Sequence, residues 1–190
     1  MEKGLDYIFN QHTKLIILGT FPSEKSRNTC YYNNPQNQFW KIIANIFNNE
    51  IVINSDKTTR YNCLLNNGIG LWDVIGTCKF EQKSSLDSKI IKDSIIYNDF
   101  KLLQKMCPNL CCIVFNSKNA KKLFDRYLKQ EKDEKLKEWL QKLTNNGNNV
   151  LPSTSPANAH KSFEQKLKEW KEFISFYLYL YKENNYALKH

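Results

Sequence analysis

Histidine is scarce in this 190-residue chain: His12, His160 and His190 are the full set. His12 precedes the first predicted strand, His190 is the last residue, and His160 alone falls in a polar loop. One histidine makes neither a metal centre nor a catalytic triad. Glycine-based signatures are missing too. No Gly-Lys-Ser/Thr follows a strand, so no P-loop cradles a phosphate, and no Gly-x-Gly-x-x-Gly opens a helix. Nor is there a Gly-x-Ser-x-Gly nucleophile elbow. Long apolar runs are absent, and Met1-Glu2-Lys3-Gly4 lacks the apolar centre of a signal peptide. No membrane span is expected, and a cytoplasmic location is. Six cysteines are present, but a chain this rich in apolar residues has no need of disulfides. Cys107, Cys111 and Cys112 cluster in a spacing that fits no zinc pattern, with no second Cys/His pair to complete four ligands. An iron–sulfur cluster is disfavoured for the same reason. Reduced structural cysteines are the expectation.

What the chain does have is positive charge. Lys and Arg number 28 against 19 Asp and Glu, a net charge of +9. That favours a polyanionic partner, most simply nucleic acid, although a lysine-rich proteome would give the same balance. Hydrophobic content of 41% and charged content of 25% fit a globular chain. Its length suits one domain, residues 1–190, with a lead-in over about 1–11 and a closing helix over about 162–182.

Leu15-Ile16-Ile17-Leu18, ended by Gly19-Thr20-Phe21-Pro22-Ser23, predicts a strand buried on both faces. Cys111–Phe115, ended by Asn116-Ser117, predicts a second, and Val150-Leu151 the tail of a last one. Ile69–Ile75 fits a short strand or a buried loop. Between them the pattern predicts helices: a short one at Gly4–Phe9, one from Pro35 with Phe39, Ile42, Ile43 and Ile46 inward, and one over Asp56–Leu65. Others start at Ser84-Ser85-Leu86-Asp87, with Ile90, Ile91 and Ile95 as a stripe, at Asn98-Asp99, and at Asn119. Lys129–Lys142 is expected as a solvated helix face and Asn145–Asn149 as a turn. A final helix carries Phe163, Leu167, Trp170, Phe173, Ile174 and Tyr177. The order is strand, polar loop, helix, repeated. The expected fold is α/β, a three-layer α/β/α sandwich around a central, mostly parallel sheet.

In such sheets a ligand lies beyond the carboxyl ends of the strands. Three junctions therefore qualify: Gly19–Trp40, Asn116-Ser117 and Pro152–His160. They hold amides, hydroxyls and aromatic rings, a set that positions a water and stacks a flat ring but supplies no strong base.

Three stretches, Gly19-Thr20-Phe21-Pro22-Ser23, Tyr31-Tyr32-x-x-Pro35-x-Asn37-x-Phe39-Trp40 and Leu151–Ala159, resemble the motifs of the uracil-DNA glycosylase superfamily. Gly68–Val74 and Ser85–Ser88 further resemble its DNA-deoxyinosine (hypoxanthine) glycosylase branch, the sixth family, and the likeness runs in order from residue 12 to 175. It implies a monofunctional, cofactor-free DNA repair enzyme, acting as a monomer. Such an enzyme hydrolyses the N-glycosidic bond of a flipped, deaminated base in DNA, hypoxanthine or uracil. The alternatives are the same fold aimed at uracil or a modified phage base, and a non-catalytic nucleic-acid-binding module.

The resemblance also assigns roles. Relatives that place the water with an Asn in the first motif have it where Phe21 stands here, and the deoxyinosine branch shows the same loss. The expected catalytic residue is then Asn37, whose alternative is a helix-start amide bonding nearby backbone. Phe39 is expected to stack on the base, or else to be core. Phe21 and Tyr32 are expected to line the base pocket with it, while Asn116 reads the base edge unless it is a simple turn residue. Ser153, Thr154 and Ser155 resemble a phosphate-pinching loop, with Ser23 and His160 beside it, and Ala157 and Asn158 would fill the gap left by the base. Asp73 is either an electrostatic aid to the cationic sugar or a buried structural acid.

Overall fold

Leu15–Gly19 (β2) is the middle strand of a parallel sheet, and all five of its residues are buried. It pairs on one side with Ile69–Asp73 (β3), from Leu15 opposite Ile69 to Gly19 opposite Asp73. On the other side lies Cys112–Phe115 (β6), in register from Leu15 opposite Cys112 to Leu18 opposite Phe115. Val150 extends this edge by a parallel bridge to Phe115. The computed structural model describes residues 1–81, 87–144 and 149–187. The expected helix start at Ser84-Ser85-Leu86 and turn at residues 145–148 lie outside them.

Strand alternation splits the core into two halves. Ile16 and Leu18 point into one with Phe100, Phe115 and Phe124, under Phe100–Met106 (α5), Lys118–Gln130 (α6) and Glu134–Thr144 (α7). Leu15 and Ile17 point into the other with Phe39, Ile42, Ile43, Leu64, Trp170 and Ile174. That half is covered by Phe39–Phe47 (α2), Ile51–Asn54 (α3), Lys57–Asn66 (α4) and Phe163–Ala187 (α8). Helices on both faces of a parallel sheet make the three-layer sandwich that the sequence implies. No helix among the described residues is long and apolar enough to cross a membrane.

Local signals explain most boundaries. Asp56 caps α4, its carboxylate accepting from the Thr59 N–H at 2.8 Å, and Gly68 follows the helix with a φ of +68° that favours glycine. Asp99 caps α5 and Ser117 caps α6 in the same manner. Ser162 and Gln165 form a reciprocal capping box ahead of α8.

Four expectations are corrected. Gly4–Phe9 is not a helix. Glu2–Lys3 (β1) pairs with Ile75–Cys78 (β4), and Ile8 exchanges two backbone hydrogen bonds with Leu71. The lead-in is thus consumed as sheet edge, and a small antiparallel sheet, β1-β4-β5 with β5 at Ile96–Tyr97, joins the parallel one. The stripe of Ile90, Ile91 and Ile95 lies not on an α-helix but around two 3-10 turns, Asp87–Lys89 and Lys92–Ser94, with Ile90 bridging Phe80. Pro35 does not begin α2. It sits inside a turn closed by the Asn37 N–H on the Asn34 carbonyl, and the helix starts four residues later. Finally, Lys129–Lys142 is not a continuous solvated face, because α6 stops at Gln130 and α7 buries Leu136 and Leu140 against the core.

Candidate active site

The strands β2, β3 and β6 end side by side, so the loops that leave them share one edge. At that edge Gly19 makes room for a carboxylate. A Cβ on Gly19 would stand 2.3 Å from Asp73 Oδ1 and 3.3 Å from the Tyr32 hydroxyl. Asp73 is itself buried. The β2 strand therefore needs glycine here for close approach of a side chain.

Tyr32 occupies the left-handed region, with φ of +57°, between the buried Tyr31 and the Pro35 turn. Its ring stacks on Phe39 at 4.1 Å between centroids, and Phe39 stands edge-on to both Trp40 and Trp170. Phe39 is fully buried, so Tyr32 is the half-buried outer member of the stack. The Tyr32 hydroxyl is buried and has no hydrogen-bond partner of ordinary geometry among the described residues. Burial raises its pKa well above the usual tyrosine value, and the nearby Asp73 adds to this; the Asn116 amide partly offsets them. Tyr32 is thus a neutral hydroxyl at physiological pH.

Asn116 closes β6 and faces the last loop. Its Nδ2 donates to Thr154 Oγ1 and its Oδ1 accepts the Thr154 N–H, each at 3.0 Å. One N–H and one lone pair of the amide remain beyond those bonds. The Thr154 carbonyl in turn accepts from the Gln38 N–H at 3.0 Å, which ties this loop to the start of α2. Asn37 is half-buried, and its Oδ1 accepts the Phe39 N–H at 2.9 Å. That is the helix-start bond set out above as its alternative role. It leaves the second lone pair of Oδ1 and the whole NH2 group without a partner among the described residues.

The loop after Leu151 is braced internally. Ser155 N–H donates to Ser153 Oγ, Ala157 N–H to Ser155 Oγ, and Asn158 Nδ2 to the Ser153 carbonyl. Ala157 and His160 are exposed at its tip. Phe21 is placed apart from the Tyr32–Phe39 stack. It packs with Ile75, Cys78 and Ile90, tilted against Phe80, with the Arg27 guanidinium 5.5 Å from its ring centre. Ser23 hydrogen-bonds Ser26 in the same outlying part of the connection, where Glu24–Arg27 form a single helical turn (α1). Asn37, Tyr32, Phe39, Asn116 and Thr154 come together; Phe21 and Ser23 flank them.

Lys166 is the residue that the sequence did not bring forward. It is 2% exposed, and its ammonium donates to Gln38 Oε1 at 3.0 Å and to the Asn158 carbonyl at 2.8 Å. Burial lowers its pKa from the usual lysine value. With Trp170 Nε1 donating to the Pro152 carbonyl, α8 holds both ends of the last loop. The signal was there in spacing, since 166 precedes 170, 173 and 177 at helical intervals and so shares their buried stripe.

The described residues hold no group of three or more His, Cys, Asp or Glu that would bind a metal ion. What the edge offers is two amides, a neutral phenol, a buried carboxylate and a stacked aromatic pair.

Proteins of known family share this framework. A solved structure from Methanosarcina acetivorans, a solution NMR structure of a candidate uracil DNA glycosylase, superposes with a TM-score of 0.69 at 32% identity. The match covers 92% of this chain and 97% of that one. Hypoxanthine DNA glycosylases of Methanosarcina barkeri and Methanosarcina acetivorans are 33% identical over 120 residues and 36% identical over 121, in each case 63% of this chain and 73% of the relative. The model of the uracil DNA glycosylase superfamily matches residues 7–177, from the lead-in to the buried stripe of α8, and the chain belongs to that superfamily.

Proposed function

We propose that this protein is a DNA repair glycosylase that removes hypoxanthine from deoxyinosine, with uracil as the related substrate. The observation that carries the base assignment is the likeness to two proteins named as hypoxanthine DNA glycosylases, at 33% and 36% identity. The deaminated base leaves the duplex and enters the strand-end site. Extrusion costs a few kcal/mol, less for a mispaired base. There the outer ring of the Tyr32–Phe39 stack offers it a flat surface. Hypoxanthine and uracil both present a ring N–H beside a carbonyl oxygen. The N–H and lone pair that Asn116 does not give to Thr154 are complementary to that edge, and the neutral Tyr32 hydroxyl, which this amide also faces, is a further donor.

In the reaction the glycosidic C–N bond breaks, a water oxygen bonds to the sugar carbon, and a proton passes to the departing base. Positive charge develops on the sugar, so placing the water matters more than strengthening it as a nucleophile. Asn37 places that water through the free lone pair of its Oδ1. Asp73, buried at the end of β3, favours the cationic sugar electrostatically. Ser153, Thr154 and Ser155 meet the DNA phosphates, and Ala157, Asn158 and His160 approach the gap left by the base.

The test uses duplexes carrying one deoxyinosine or one deoxyuridine, with EDTA present and alkali to cleave abasic sites. Strand cleavage at inosine is expected. Cleavage only at uracil would move the substrate within the superfamily, and binding without cleavage of either would sink the enzymatic proposal.

A further inference from the structure

A second concave feature lies on the α6 side of the strand-end edge. It is a groove of about 660 Å³ between α6 and the 3-10 turns at residues 87–95. Among the described residues its walls carry Lys92, Lys118, Lys121, Lys122, Arg126 and Lys129 against one acid, Asp125. Asp125 is already paired with Lys121, at 2.5 Å. The other five cations have no ion pair among the described residues, so a large part of the chain's excess charge is concentrated here without neutralisation. The floor is apolar, formed by Ile75, Ile90 and Leu123.

The cations stand in a row, not a ring. Lys118, Lys122 and Arg126 repeat every four residues along one face of α6, and Lys129 continues them. From Lys118 to Lys129 the helix rises about 16 Å, against one phosphate per ~3.4 Å of each DNA strand. A lone phosphate would need donors that converge on a point; a row of this length fits a polyanion. The groove also starts at the site. Asn116 and Ser117 lead directly into α6, and Asn119 Nδ2 reaches Thr20 Oγ1, in the loop after β2, at 3.5 Å. Phe21, set apart from the base-binding residues, packs against Ile75 and Ile90 beneath this groove.

We infer that the α6 groove binds the sugar–phosphate backbone of the DNA strand running away from the flipped nucleotide. This rests on the glycosylase proposal only for the identity of the polyanion. The groove contributes affinity without reading sequence, and its share is salt-dependent because each phosphate contact releases counterions.

The experiment compares two triple variants with equal change of net charge. Lys118→Glu, Lys122→Glu and Arg126→Glu reverse the groove; Lys57→Glu, Lys135→Glu and Lys142→Glu reverse exposed lysines elsewhere. Binding of a fluorescent lesion-bearing duplex is followed by anisotropy across salt concentrations. Excision is measured separately, in single turnover at saturating enzyme. The groove triple is expected to flatten the slope of log K against log salt by about 2 to 3, at ~0.9 per lost phosphate contact. Its affinity should fall at least about tenfold near physiological salt, with the excision rate at saturation unchanged. The control triple should keep the wild-type slope. Equal slopes for the two triples would overturn the inference, since only overall charge would then matter. A groove-specific loss of slope in a protein that excises neither base would leave the groove standing and remove the glycosylase proposal instead.

Discussion

Asn116 and Thr154 hold each other by two reciprocal hydrogen bonds of 3.0 Å, joining the end of β6 to the loop before α8. The amide is thereby fixed in rotation with half of its bonding capacity still open. A side chain meant to discriminate between base edges must not swivel, because a free amide could present either its donor or its acceptor to the same atom. Under the proposed function Thr154 is a positioning residue for Asn116.

Replacing Thr154 with Val keeps the shape and the backbone N–H but removes the acceptor for Asn116 Nδ2. Leaving a buried donor unpaired should cost about 1–3 kcal/mol of stability. Urea unfolding would measure it. If Asn116 reads the base, the same variant should narrow the preference for inosine over an undamaged base; an unchanged preference would reduce the pair to a structural strut.

For Asn37 the two roles can be separated. Asn37→Ala removes both the bond to Phe39 N–H and the carbonyl proposed to place the water, so stability should drop by about 1 kcal/mol and, under that proposal, excision by about 10²–10³. Asn37→Ser restores an acceptor for the helix start. Its stability should return towards wild type while excision stays low. Excision by Asn37→Ser at the wild-type rate would show that Asn37 is only a helix-start residue.

Lys166→Met removes a buried charge but leaves Gln38 Oε1 and the Asn158 carbonyl without their donor. The helix should still dock, because burying methionine is favourable and the desolvation cost of the ammonium disappears. The loop from Ser153 to Asn158 should loosen, seen as faster amide exchange there and roughly tenfold weaker DNA binding. Wild-type exchange and binding would count against a clamp.

Alkaline stability follows from the tyrosines. Burial lifts Tyr61 from its usual 10 to about 12, and its hydroxyl accepts the Tyr31 N–H at 3.0 Å. A raised folded-state pKa gives stability that is complete below pH 10 and is lost as pH climbs towards 12, because the unfolded chain ionises first. Tyr31 and Tyr32 are shifted in the same direction and add to the loss. The urea midpoint should therefore fall between pH 10 and 12, and fall less steeply in Tyr61→Phe. An identical pH profile for the variant would exclude Tyr61 as a contributor.

The central sheet was legible because Leu15–Leu18 and Cys112–Phe115 are short apolar runs stopped by polar turns, of strand length and rich in β-branched residues or bounded by Gly and Pro, a pattern that suits buried strands. The cap at Asp99 was equally visible, whereas Asp56 reads from sequence as the first residue of its helix and Ser117 as the end of the strand before α6, and both turn out to be caps. The lead-in was not, because Glu2–Lys3 is recruited as a strand by an edge made over seventy residues later, and pairing of that kind leaves no local trace. At the site, the loops were found by their place after the strands, but their bonds were not. Whether Asn116 meets Thr154 or Lys166 meets Gln38 depends on how loops far apart in sequence converge. A lysine among lysines and glutamates looks solvated until its register with Trp170 is counted.

The strand order carries a consequence for synthesis. β2 emerges early but gains its second neighbour only when Cys112–Phe115 has been made, and the Lys166 clamp comes later still. A growing chain on the ribosome thus exposes an unfinished sheet edge from the completion of β2 until Cys112–Phe115 follows, and holds no assembled pocket over that interval. Competence would arrive only once α8 has been made and docks, so products truncated before it should be inert towards DNA bases and prone to clump.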